Sequence, residues 1–186
     1  MKKYVNWAVV ILGIITFMSF GQQNPEQDFV NKAVMANQYE VALAQQAGQR
    51  SSNEGIKAYS RMLVDEHQQI LNELRQYAEA KGWTISTELD QSHHGQLGVL
   101  EGTEAGQYDQ AFKDAAVASH ENSIALYEGV NGDNTMTDET LKIWAADKLP
   151  ALKSHLTQAQ ELKLDDTAPV NKETPPIVDT VKNNKM

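Results

Sequence analysis

Residues 53–82 read NEGIKAYSRMLVDEHQQILNELRQYAEAKG, and the periodicity of this stretch decides the fold. Ile56, Ser60, Leu63, His67, Ile70, Leu74 and Tyr77 recur at alternating spacings of four and three, which puts them on one stripe of an α-helix. Asn53 is a suitable N-cap, and Gly82 is a natural stop after Lys81. Such a narrow stripe is the seam of a helix packed in a bundle. His67 is out of character there, because it stands where a core wants an apolar side chain.

The same four-three spacing appears on both sides of this segment. From Asp28 to Ala47 it runs through Phe29, Ala33, Ala36, Glu40, Leu43 and Ala47, with Gly48 expected to end the helix. From about Gln107 to Val130 it runs through Phe112, Ala116, His120, Ser123, Tyr127 and Val130, and the tract Asn131-Gly132-Asp133-Asn134 then reads as a turn. A fourth helix, capped by Thr137, carries Leu141, Ala145, Lys148, Leu152, His155, Ala159 and Leu162. Pro150 falls inside it and predicts a kink, or a break with a restarted turn. No alternation of period two persists anywhere, so the expected class is all-α.

Short links make the first and second helices, and the third and fourth, antiparallel neighbours. Between the second and third lies a long connection, Trp83 to Gly106, rich in glycine, in which Thr87-Glu88-Leu89-Asp90 can form a short helix. A connection of roughly 24 residues at about 3.3 Å each can span a helix about 38 Å long. It therefore suits either the crossover of a ferritin-like antiparallel four-helix bundle or a small helical cap on an up-and-down bundle. His93 and His94 lie in this connection and read as a solvated loop pair rather than as a surface metal site.

The ends of the chain have a different character. Lys2 and Lys3, the apolar run from Trp7 to Phe20, and the small residues Ser19 and Gly21 form a secretory signal peptide with cleavage before Gln22. The rival reading, an uncleaved anchor, needs roughly 20 apolar residues, which this run only marginally supplies. Without cysteine the chain has neither a lipid-attachment site at the cleavage point nor a disulfide, so a periplasmic or secreted protein is expected. The domain plan is a signal peptide at 1–21, one helical domain at 22–163 and a disordered polar tail at 164–186. The formal charge of −9 becomes −11 once Lys2 and Lys3 are removed. Such an acidic chain lacks the basic footprint that a nucleic-acid partner requires.

Each of the four long helices places one metal-competent side chain on its own seam: Glu40, His67, His120 and His155. All four lie roughly 21 to 26 Å into their helices at about 1.5 Å per residue. Residues at mid-height meet in one layer whichever way the helices run. Buried and unpaired they would cost several kcal/mol each, so they satisfy one another, bind water or hold an ion. Three imidazoles and a carboxylate suit zinc, copper, iron or manganese. The competing reading is a polar layer that only sets helix register or responds to pH, in a non-enzymatic structural or interaction module of the envelope. Asp65, Glu66 and Glu121 point away from this layer along their own helices and read as solvated surface, with a contact behind a ligand as the lesser alternative for Asp65 and Glu66. No phosphate loop, dinucleotide fingerprint, nucleophile elbow or HExxH stretch gives an enzyme reading a foothold, and no protein partner is indicated.

Phe29, Glu40-Val41 and Ala44, the run Met62-Leu63-Val64-Asp65-Glu66-His67, Tyr108-Asp109 with His120, and Leu149-Pro150, Leu152 and His155-Leu156 together resemble the DUF4142 family. Its members are exported bacterial proteins often labelled as outer membrane proteins. The resemblance spans about Asp28 to Leu162 and implies a ferritin-like bundle, with Glu40, His67, His120 and His155 as site candidates. It implies no reaction. Di-iron ferritins place a Glu three residues before a His on two helices; here those positions hold Val64 and Leu152, which favours one metal or none.

Overall fold

The computed structural model describes residues 24–164, so the signal segment and nearly all of the tail lie outside the described residues. The described chain is all-helical: α1 (Pro25–Arg50), α2 (Glu54–Ala80), α3 (Gln91–Glu101), α4 (Ala105–Gly132) and α5 (Glu139–Glu161). Local chemistry sets most of the ends. Asn24 caps α1, its side-chain oxygen accepting from the N–H groups of Glu26 and Gln27, with Pro25 in the first helical position. Asn53 caps α2 as expected, accepting from Gly55 and Ile56. Gly82 ends α2 with φ +69°, and the N–H of Trp83 returns to the carbonyl of Ala78.

Several expected boundaries move. Gly48 does not stop α1, which continues to Arg50. Asn131 and Gly132 remain helical, and the turn before α5 starts at Asp133. Asp138, not Thr137, caps α5 by accepting from the N–H of Leu141. Pro150 sits within one continuous helix rather than at a break. Its ring deprives the Ala146 carbonyl of a partner, a loss that water can offset because Pro150 is exposed. The short helix of the connection begins only at Gln91, with Asp90 as its N-cap, so Thr87–Asp90 precede it.

Two apolar clusters form the core, and their membership gives the direction of every helix. One combines Phe29, Val30, Ala33 and Val34 from the start of α1 with Ile70, Leu74 and Ala78 from the end of α2, Tyr127 and Val130 from the end of α4, and Leu141 and Ala145 from the start of α5. The other combines the opposite ends, with Leu43, Ala47, Ile56, Leu63, Tyr108, Phe112 and Ala159. Hence α1 and α5 run one way and α2 and α4 the other. Two antiparallel hairpins, α1–α2 and α4–α5, face each other across the bundle. Because α2 and α4 are parallel, the connection must travel its length: Trp83 and Ile85 cover the first cluster, and Leu89, Leu97 and Leu100 cover the second. Arg50 fastens the far end by donating to the carbonyls of Leu100, Glu101 and Thr103.

Candidate metal centre

Between the two apolar clusters the helices contribute polar side chains at one level. Val34 and Leu43 bracket Glu40; Leu63 and Ile70 bracket His67; Ala116 and Tyr127 bracket His120; Leu152 and Ala159 bracket His155. All four are buried, with His67 and His120 wholly inaccessible. The three imidazoles form a mutual set, with ring centroids 5.3 to 5.5 Å apart.

One nitrogen of each ring points outward to an acceptor. His67 Nδ1 lies 2.7 Å from Asn37 Oδ1 and 3.0 Å from Glu40 Oε2. His120 Nδ1 lies 2.8 Å from the Ala116 carbonyl of its own helix. His155 Nε2 lies 2.8 Å from Glu66 Oε2. Asn37 is itself oriented, since its amide donates to the Ala33 carbonyl and to the Tyr127 hydroxyl, which leaves Oδ1 to accept. Each outward nitrogen therefore carries the ring proton, and in the neutral ring the inward nitrogen is a lone pair. Those inward atoms, His67 Nε2, His120 Nε2 and His155 Nδ1, are buried without any hydrogen-bond partner. The three ring donors lie within 4.8 Å of one another.

Glu40 stands one step behind this set, against the back of His67. Its Oε1 accepts from the hydroxyls of Ser119 at 2.7 Å and Ser123 at 3.0 Å, and His120 Nδ1 is 4.0 Å away. Burial pushes its carboxyl upward, but the charge and hydrogen bond of His67, the charge of His120 and the Ser119 hydroxyl outweigh burial and bring it down to about 2. His120 and His155 are pushed below the ordinary imidazole value, first by burial and then by neighbouring imidazoles, against the pull of Glu40 on one and Glu66 on the other. Both rings are thus neutral near pH 7, the form that binds metal.

The structure thus gathers all four sequence candidates, three with free nitrogens at the centre and Glu40 behind His67. Glu66 is exposed as expected, and it also takes the lesser alternative, since its Oε2 reaches His155 Nε2 on the neighbouring helix at 2.8 Å. Asn37 is a partner the seam pattern missed, one residue beyond Ala36; its spacing of three before Glu40 was the available signal. His93 is not in an open loop: it lies in the first turn of α3, paired with Asp90 at 2.8 Å and tilted against Tyr39, with ring centroids 4.9 Å apart.

An ion fits the donor set. Three imidazoles turned toward one another, each with its far nitrogen anchored, is how proteins prepare histidine ligands for transition metals. Such an ion would be held by His67, His120 and His155, and would supply Lewis acidity or redox chemistry there.

No curated protein matches the chain. Among solved structures, the one described as CopM in the Cu(I)-bound form superposes with a TM-score of 0.60 over 73% of this chain and 92% of that one. At 12% identity this likeness is one of fold. The family model described as "Domain of unknown function (DUF4142)" matches residues 19–162. That match covers most of the chain, and the protein belongs to the DUF4142 family.

Proposed function

We propose that this protein is an exported metal-binding bundle of the ferritin-like kind that holds one transition-metal ion, copper foremost, through His67, His120 and His155. The observation that carries the reading is the trio of buried, unpartnered ring nitrogens converging on one point. A layer that served only to fix helix register would be expected to close its hydrogen bonds, since an orphaned buried acceptor costs about 1–3 kcal/mol. Three such acceptors side by side are better explained by a shared cation. Imidazole sites suit copper, zinc and iron alike, and the copper bound by the structurally similar CopM makes copper the first ion to test. The apolar run at 7–20 supports export to the periplasm or beyond. Among the described residues no helix is long and apolar enough to cross a membrane.

Glu40 and Asn37 hold His67 in place, and the ionised carboxylate offsets part of the cation's charge in a site away from water. The role so supported is metal retention or handling, without a reaction. The test is elemental mass spectrometry on protein purified after incubation with copper(I), zinc, iron(II) and manganese salts in turn. Retention of about one ion per chain, with copper strongest, is the expected result. A folded protein that retains none would leave the layer as a register or pH-responsive device.

A further inference from the structure

The three histidines differ in what stands behind them. Behind His67 are Asn37 and Glu40, both about 1% exposed, and behind His120 is the main chain of its own helix. Behind His155 is Glu66, whose side chain is 47% exposed. His155 is therefore the ring whose outward nitrogen meets a group in contact with solvent, and a single imidazole separates that solvent from the converging nitrogens. The main chain of α5 is pinned at this residue, because the Tyr59 hydroxyl donates to the His155 carbonyl at 3.0 Å.

A second approach leads elsewhere. An open groove of about 810 Å³ between α1, α3 and α4 reaches Ser119 and Ser123. Their hydroxyls are turned to Glu40 Oε1, so the groove ends at the carboxylate, with the His67 ring still between it and the centre.

Resting on the metal-binding reading above, we infer that His155 is the gate of the site and Glu66 its latch: metal ions enter and leave between α2 and α5 when the His155–Glu66 hydrogen bond opens and the ring turns outward. Glu66 is a positioning residue in this scheme, acting through His155. Its hydrogen bond keeps the ring closed, and its exposed carboxylate offers an arriving cation a first partner.

Two measurements on the full chain test the gate. In metal-free protein, each histidine is carbethoxylated and its rate followed by mass spectrometry. His155 should react ahead of His67 and His120, and faster still in Glu66→Ala; equal rates for the three, or an earlier reaction at His67 or His120, would overturn the gate. In protein loaded with copper(I), release to a chelating dye is followed by stopped flow. Glu66→Ala should release about 10- to 100-fold faster, the range typical for loss of a partner behind a ligand. Glu66→Gln, which keeps an acceptor oxygen, should stay close to the unsubstituted protein, and Ala118→Leu, which fills the groove, should change nothing. Normal loading with release unchanged in Glu66→Ala but slowed in Ala118→Leu would move the route to the groove. Absence of any copper in the unsubstituted protein would instead remove the metal reading itself, and the gate with it.

Discussion

Two buried carboxylates, Glu26 and Glu40, sit on α1 and solve different problems. Glu26, at the end of the bundle, accepts from the Thr137 N–H at 2.7 Å, the Thr137 hydroxyl at 3.2 Å and the Asp138 N–H at 3.3 Å. Everything it touches ends there: it ties the start of α1 to the turn before α5. Glu40, at mid-height, takes two hydroxyls on Oε1, but Oε2 closes no hydrogen bond and faces, at 3.0 Å, an imidazole whose far nitrogen also has no partner. A polar group that serves the fold closes its hydrogen bonds within the protein. One that serves a ligand passes them along a chain that stops at a vacant donor.

That contrast can be broken in several ways. The largest effect should come from His67→Ala or His120→Ala, which should reduce retained metal to background by elemental analysis while the far-ultraviolet circular dichroism stays helical. Next is Glu40→Ala, which strands two serine hydroxyls in the core and removes the carboxylate beside His67. It should cost about 2–4 kcal/mol in urea unfolding of the metal-free protein, with Glu40→Gln milder. Glu26→Ala should cost about 1 kcal/mol by the same assay, as for a lost helix-end contact, and leave metal content untouched. Equal costs at the two glutamates, or loss of metal in Glu26→Ala, would erase the distinction drawn between them.

The smallest effect is a pH dependence. In the fold His120 and His155 titrate below the ordinary 6.5, so the unfolded chain takes up protons first as pH falls. Their contribution to stability is complete above 6.5 and declines below it. Glu40, brought from 4.5 to about 2, adds stability above 4.5 that is lost as pH approaches 2. The melting temperature of metal-free protein should therefore start to fall between pH 7 and 5, before carboxylates protonate. A flat profile over that range would mean that the two rings are better solvated than their burial implies.

How much of this was legible in the sequence depends on whether one helix sufficed to see it. The four-three spacing of Leu63, His67 and Ile70 is a property of one helix, and the level of the polar layer follows from counting residues from each helix start. Both were readable. Glu66 was not, because its partner belongs to α5, and a helical wheel shows only that it points away from His67. Asn37 was missed because the α1 seam was read through Ala36, a rotation of about 100°. The helix ends were displaced where a single glycine was read as a stop: Gly48 stays helical and α1 runs on to Arg50, since glycine inside a helix costs only about 1 kcal/mol against alanine. The connection's path needed the directions of all the long helices, which only the two apolar clusters reveal.

The crossover also bears on the order in which the chain assembles. Hairpins α1–α2 and α4–α5 are built from contacts close in sequence and can form early, whereas joining them requires closing the long link between α2 and α4. Glu40 and His67 belong to the first hairpin, His120 and His155 to the second. Docking of the two hairpins brings the halves of the polar layer together and strips water from them, which makes that layer a natural place for a barrier to docking.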